Sequence, residues 1–255
     1  MMGQGQSGAD VLVGCCGWPE ARRRYYGHFP IVELQETFYD PPAPDRVRRL
    51  REEAPPGFTF ALKAWQVITH PASSPTYRRL KQPLSPEEAP LVGWFRPTDV
   101  VWRARERTQQ VAAALDARAI VFQCPPSFRP DPDNVANLRR FFEAVQPCEW
   151  LLAWEPRGLW PRELVASLCR ELGLVHVVDP FQGRAAWGSC AYFRLHGRGG
   201  YRYSYSDEEL AQLLGMCRRE LEAGRRPVYV LFNNTDMLAD ALRFLESVRR
   251  EGLSG

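Results

Sequence analysis

Leu151–Trp160, LLAWEPRGLW, is the stretch whose reading decides the fold. An apolar run suited to a buried strand stops abruptly at Glu155, Pro156 and Arg157. Side chains alternate along an extended chain, so Glu155 and Arg157 share the face that carries Leu151 and Ala153. Pro156 withdraws a ladder donor and ends the strand. Gly158 frees the backbone, and Trp160-Pro161-Arg162-Glu163 opens a helix with proline at its first position. The unit is a strand, a short charged loop and a helix.

The same unit recurs on both sides. Val11–Cys15, Ile31–Tyr39, Phe58–Ala64 and Ala119–Cys124 read as strands upstream, and Leu174–Asp179, Cys190–His196 and Pro227–Asn233 downstream. Helices are expected over Asp45–Ala54, from the Thr98-Asp99 cap to Ala117, over Asp131–Val145 and over Pro161–Leu172. Two more run from the capping-box spacing at Ser206 to Ala223 and over Asp236–Arg250. The segment up to Pro30 has no convincing helical period, and PFQGRAAWGS after strand six is too short for a full helix. Trp65–Pro97, rich in Pro and Ser, forms a long insertion after strand three.

Eight such units in 255 residues indicate an α/β fold, a (β/α)8 TIM-type barrel with some helices shortened or replaced by loops. No G-x-G-x-x-G opens the chain, which weighs against an open dinucleotide-binding sheet. The expected organisation is a loose Gly-, Gln- and Ser-containing tail over residues 1–10 and one barrel domain over 11–250.

Composition narrows the classes. At 45% hydrophobic and 25% charged, the chain is globular. No apolar stretch approaches the roughly 18 residues of a membrane span. No basic-then-apolar leader pattern begins the sequence, so a cytoplasmic protein with no membrane partner is expected. A net charge of +3 does not by itself indicate nucleic acid, and the positive charge is nearly all arginine, Lys63 and Lys81 being the only lysines. Seven cysteines without a C-x-x-C pair read as reduced, buried thiols, the adjacent Cys15-Cys16 leaving a redox or metal-sensing alternative.

Barrel chemistry sits at the carboxyl ends of the strands. Taking alternate residues back from each end puts Glu33, Lys63, Gln123, Glu155, Arg157, Asp179, Arg194, His196 and Asn233 on the inner face near the mouth. The complementary positions, such as Phe60, Leu62, Phe193 and Val230, are apolar. Burying that many charges unpartnered costs several kcal/mol each, so a polar, solvent-connected mouth is expected. The alternative is mutual pairing at the top of a solid barrel. Mixed signs speak against a phosphodiester groove. His70 and His196 with the three acids are the residues a metal would use, but no histidine spacing supports one, and no cofactor is expected. His176 falls on the outer face as a structural residue.

Arg198-Gly199-Gly200 and Asn234-Thr235-Asp236 follow strands seven and eight, where barrels build phosphate sites; an ordinary turn and helix cap are the alternative. Ser73–Arg79 in the insertion reads as a lid or as a solvated loop.

GCCGW, VELQETFY, FALKAWQVITH, VFQCPPSF, AWEPRGLW, YFRLHG and VLFNNT, in that order, resemble the motif blocks of the YecE-like family, domain of unknown function 72. The resemblance covers about Val11–Leu245 and implies a TIM-type barrel. It places Glu33, Thr37, Tyr39, Lys63, His70, Gln123, Glu155, Arg157, Arg194, His196, Gly197 and Asn233 in family motifs. VELQETFY stands where many members have VEINSTFY, so Gln35 and Glu36 depart from the commoner pattern. The family name assigns no reaction.

Three functions compete. In the first the chain is an enzyme, a hydrolase or lyase, acting by acid/base chemistry on a small polar, anionic or phosphorylated ligand. Glu33 or Glu155 is then the base and His70 or His196 its acid partner. Lys63, Arg157 and Arg194 hold negative charge, Lys63 alternatively forming a Schiff base, while Tyr39, Gln123 and Asn233 orient the ligand. The second is nucleic-acid binding or an endonuclease-like activity using Arg78, Arg79, Arg198 or Arg202, by fold-level analogy with metal-dependent apurinic endonucleases. The third is a non-catalytic ligand sensor or scaffold.

Overall fold

The computed structural model describes residues 9–253. Eight parallel strands close into a barrel in chain order: β1 (Val11–Cys16), β2 (Ile31–Leu34), β3 (Thr59–Lys63), β4 (Ala117–Gln123), β5 (Leu151–Glu155), β6 (Val175–Val178), β7 (Ala191–Leu195) and β8 (Val228–Phe232). Closure is made by β1 against β8, from Val11 opposite Val228 to Cys15 opposite Phe232. Strands buried on both faces need apolar residues on both, which explains their nearly continuous Val, Leu, Ala and Phe content. Ala61, Val121, Ala153, Val177, Tyr192 and Leu231 pack together inside the barrel. Phe60, Leu62, Ile120, Leu152, Phe193 and Val230 belong to the separate layer beneath the helices. This is the alternation the sequence predicts. Gly14 lies where an added Cβ would stand 2.1 Å from the Ile31 carbonyl oxygen, so only glycine lets β1 come this close to β2.

The helices are α1 (Arg22–His28), α2 (Glu36–Tyr39), α3 (Pro44–Glu53), α4 (Gln66–Thr69), α5 (Asp99–Leu115), α6 (Pro132–Val145), α7 (Arg162–Glu171), α8 (Asp207–Glu222) and α9 (Met237–Arg250). α6 buries Leu138, Phe141, Phe142 and Val145 in one stripe, each side chain contributing about 1.5–3 kcal/mol when fully buried. The capping box forms at α8, Ser206 accepting from the Glu209 amide and Glu209 from the Ser206 amide. Between β6 and β7 there is no helix.

Two expectations change, and the segment before Pro30 takes the shortened-helix form expected of some units. β2 ends at Leu34 rather than Tyr39. The Thr37 hydroxyl contacts the carbonyls of Leu34 at 3.1 Å and Lys63 at 2.7 Å, and the chain turns there into α2. The segment before Pro30 supplies a short helix, α1, held by one buried tyrosine. The Tyr25 hydroxyl accepts from the Cys15 amide at 2.7 Å and donates to the Ile31 carbonyl at 2.8 Å. The insertion after β3 carries α4 and 3-10 turns at Pro75–Arg79 and Ala89–Leu91, then returns along α4. The Gly93 amide donates to Val67 O at 2.8 Å and that of Phe95 to Ile68 O at 2.9 Å.

Most of the expected tail, residues 1–8, lies outside the described residues. Asp10 is tied down: its carbonyl accepts from the Val228 amide at 2.8 Å and its carboxylate meets Arg226 at 2.6 Å. No described helix is long and apolar enough to cross a membrane. All seven cysteines are free. Cys15 packs under the helices and Cys16 inside the barrel, so successive strand positions separate their sulfurs. Burial pushes the Cys15 thiol up to about 12 and that of Cys16 upward as well, which removes the thiolate a redox or metal-sensing pair requires.

Candidate active site at the barrel mouth

The strand ends converge on one fully buried guanidinium. Arg194 on β7 contacts Glu155 of β5 through Nη1 and lies 2.9 Å from Glu33 Oε1 of β2 through Nη2. The contact with Glu33 is one of charge, without hydrogen-bond alignment, and Nε has no hydrogen-bond partner among the described residues. Glu33 is held further by the Tyr192 hydroxyl at 2.8 Å, Gln35 Nε2 at 2.5 Å and Cys16 Sγ at 3.5 Å. Glu155 receives Gln123 Nε2 at 3.1 Å, Arg157 Nη1 at 3.2 Å and His196 Nε2 at 3.1 Å. Asn233 Nδ2 lies 3.1 Å from His196 Nδ1. His196 Nε2 also lies 3.1 Å from Arg157 Nη1, so this one ring nitrogen faces both a carboxylate acceptor and a guanidinium donor, and Nδ1 faces the Asn233 amide.

Electrostatics assigns the ionisation states. Burial alone would raise the Glu155 carboxyl, but Arg194, His196 and Arg157 together outweigh it and hold the group well below the usual carboxylate range. Burial lowers His196 despite the opposing pull of Glu155, so its imidazole is neutral at pH 7. Burial raises Asp179, whose carboxylate accepts from the Phe181 amide at 3.0 Å and the His196 amide at 3.3 Å. Asp179 thus orients the loop beyond β6 and the end of β7.

Lys63 at the end of β3 is held differently. Its Nζ stands 3.6 Å from the centroid of the Phe38 ring, and it makes no ion pair among the described residues. Burial, reinforced by Arg194, lowers the amine to about 7. His70 packs edge-on against the same Phe38 ring at 4.9 Å and pairs through Nδ1 with Thr69 Oγ1 at 2.8 Å. Burial, then Lys63, lowers His70 to about 3. Burial thus favours the neutral imidazole at both His70 and His196, the two residues expected as acid–base partners.

Other candidates face elsewhere. The Tyr39 ring, in α2, is covered by the Arg79 guanidinium at 3.6 Å. Arg198 pairs with Glu209 at 3.1 Å, and Gly199 is exposed beside it. Asn234 Nδ2 donates to Asp240 and to Tyr203 O, both at 2.7 Å, and the Thr235 amide donates to Tyr201 O at 2.7 Å. The loops after β7 and β8 use these groups, expected at an anion site, to hold each other. The cap expected there is absent, since α9 has no side-chain cap. The Ser73–Arg79 segment packs down: Tyr77 donates to His70 O at 3.0 Å.

Tyr192 and Cys16 complete the Glu33 shell, and neither was singled out as a site residue; a tyrosine and a cysteine on a barrel's inner face read as core. Tyr201, exposed and edge-on to His196 at 5.8 Å, sits in a Gly-rich loop with no periodicity to mark it. Among the described residues no group of three His, Cys, Asp or Glu side chains is placed to hold a metal ion. A cleft of ≈ 800 Å³ opens beside the cluster, with Glu155, Arg157, Asp179 and His196 on its inner wall.

The fold and site define a parallel (β/α)8 barrel whose charged residues gather at the carboxyl ends of its strands. Within that class, the chain belongs to the family described as Protein of unknown function DUF72, which it matches over residues 13–253. It is 27% identical over 266 residues to the UPF0759 protein YunF of Bacillus subtilis (strain 168), covering 88% of each. A DUF72 family protein from Enterococcus faecalis V583 shares the fold at a TM-score of 0.70 and 20% identity, over 96% of this chain and 99% of that one. Another, from Thermotoga maritima MSB8, does so at 0.69 and 23% identity, over 94% of this chain and 99% of that one.

Proposed function

We propose that the chain is an enzyme acting at the barrel mouth on a small anionic carbonyl compound, with Lys63 as the reacting amine. One observation carries the reading: Arg194 occupies both buried carboxylates of the mouth, leaving the Lys63 amine against an aromatic face without an acid to pair with. A lysine so placed keeps a lone pair near neutral pH. Nζ adds to the carbonyl carbon, and the proton lost by nitrogen passes to the carbonyl oxygen, giving a carbinolamine. Protonation of that hydroxyl and loss of water give an iminium. His196 Nε2 and Glu155 Oε1, 3.1 Å apart, form the relay for these transfers. Arg157, half-exposed on the mouth side of Glu155, holds the substrate's negative charge. The pairing of Arg198 with Glu209 and the stacking of Arg79 on Tyr39 support this reading over a nucleic-acid surface.

Borohydride reduction in the presence of glyoxylate or pyruvate tests it. Hydride converts the iminium to a secondary amine, and peptide mass spectrometry locates it. Lys81, exposed and paired with Asp40, is the internal control. Lys63 is expected to be modified several-fold faster than Lys81 near pH 7; modification of Lys81 alone would overturn the assignment.

A further inference from the structure

The missing helix between β6 and β7 leaves one side of the mouth open, and the ≈ 800 Å³ cleft runs outward through that gap. Its inner end is the Glu155–His196 pair. Its lining includes the apolar Val165, Val177 and Val178. Its outer part is cationic: Arg162 donates to the carbonyls of Arg184 at 2.5 Å and Ala185 at 3.0 Å, pinning the loop, and Arg184 itself is exposed at the rim. His176 also lines the cleft, and its Nδ1 accepts from the Ala186 amide at 2.9 Å, which places the ring proton on Nε2 as a neutral donor. Three arginines, Arg157, Arg162 and Arg184, stand on the lining with two acids, Glu155 and Asp179. Glu155 is neutralised by Arg194, and Asp179 is bonded to backbone amides.

We infer that this cleft binds an anionic group, carboxylate or phosphate, carried on an apolar stem. Resting on the proposed reaction, that is the distal part of the substrate whose carbonyl meets Lys63. The volume falls within the range of small-molecule sites, and the lining pairs apolar walls with a few placed donors, as such sites do. His176, structural by strand alternation, lines this cleft and is assigned a second role as a ligand donor.

Calorimetric titration of the full chain with hexyl phosphate, hexanoate and inorganic phosphate tests this. Gly183 lines the cleft, and an added Cβ there meets nothing within 4 Å, so Gly183→Phe fills the space without strain. Arg184→Glu reverses the rim charge, and circular dichroism confirms that both variants fold. At least one stemmed anion is expected to bind about tenfold or more tightly than inorganic phosphate, and both variants to weaken it by about fivefold or more. Preference between the two stemmed probes identifies the head group. Equal affinity with and without the stem, no binding of any probe, or insensitivity to both variants would overturn the inference. Glyoxylate trapping in the wild type is read separately. Trapping at Lys63 with no cleft binding removes the cleft alone, and variant-sensitive binding without trapping removes the amine chemistry and keeps the cleft.

Discussion

Arg194 and Lys63 lie in the same mouth and are stabilised in opposite senses. Arg194 is fully buried between two carboxylates, and removing it strands both. Arg194→Met is expected to cost roughly 3–5 kcal/mol in urea unfolding, the usual penalty for leaving a buried charge without its partner. The same change lifts the Glu155 carboxyl, since its strongest favourable partner is gone. Lys63→Met removes a buried amine that has no acid and is expected to raise stability by roughly 1–3 kcal/mol while abolishing borohydride trapping. Gain of stability with loss of chemistry marks a site residue, because a structural lysine would lose both. If Lys63→Met unfolds at lower urea than the wild type, the amine is part of the scaffold.

At the scale of elements, the insertion between β3 and α5 was the least legible part. Its Pro and Ser content signals a loop, but its order comes from backbone bonds to α4 that no local pattern announces. Gly93 makes that return possible: φ is +80°, and an added Cβ would stand 2.4 Å from the His70 carbonyl carbon and oxygen. Gly93→Ala is expected to cost about 1–3 kcal/mol through backbone strain and to loosen His70, read as lost protection of the Gly93 and Phe95 amides from exchange. Strand ends, by contrast, were legible because a period of two puts Glu33, Lys63, Glu155 and Arg194 on one face whatever the loops do. α2 was not, because the Thr37 bond to Lys63 O is tertiary. The loops after β7 and β8 were ambiguous for a related reason. Gly, Asn and Thr suit an anion nest and a loop-to-loop clasp equally, and Asp240, six residues beyond Asn234, decides for the clasp.

Over the whole molecule the buried imidazoles set the response to acid. Burial lowers His70 to about 3 and His176 to about 4 from the ordinary 6.5, so the unfolded chain takes up protons that the folded chain refuses. Their contribution to stability is therefore complete above 6.5 and falls with pH through the interval down to about 4, where His176 begins to protonate in place, and for His70 down to about 3. Each contributes a slope of up to roughly 1.4 kcal/mol per pH unit. Glu155, held low, adds to the loss below the carboxylate range, while Asp179, raised by burial, opposes part of it. Lys63 acts at the other end: lowered from 10.5 to about 7, it makes stability rise as pH climbs between those values. Urea midpoints measured across this range are expected to fall steadily on acidification from near neutrality. His176→Gln is expected to flatten the acid limb by about half, and Lys63→Met to flatten the alkaline rise. An acid limb that starts only below the carboxylate range in both the wild type and His176→Gln would show that the imidazoles protonate without cost, and that water reaches β6 and α4 more freely than their packing allows.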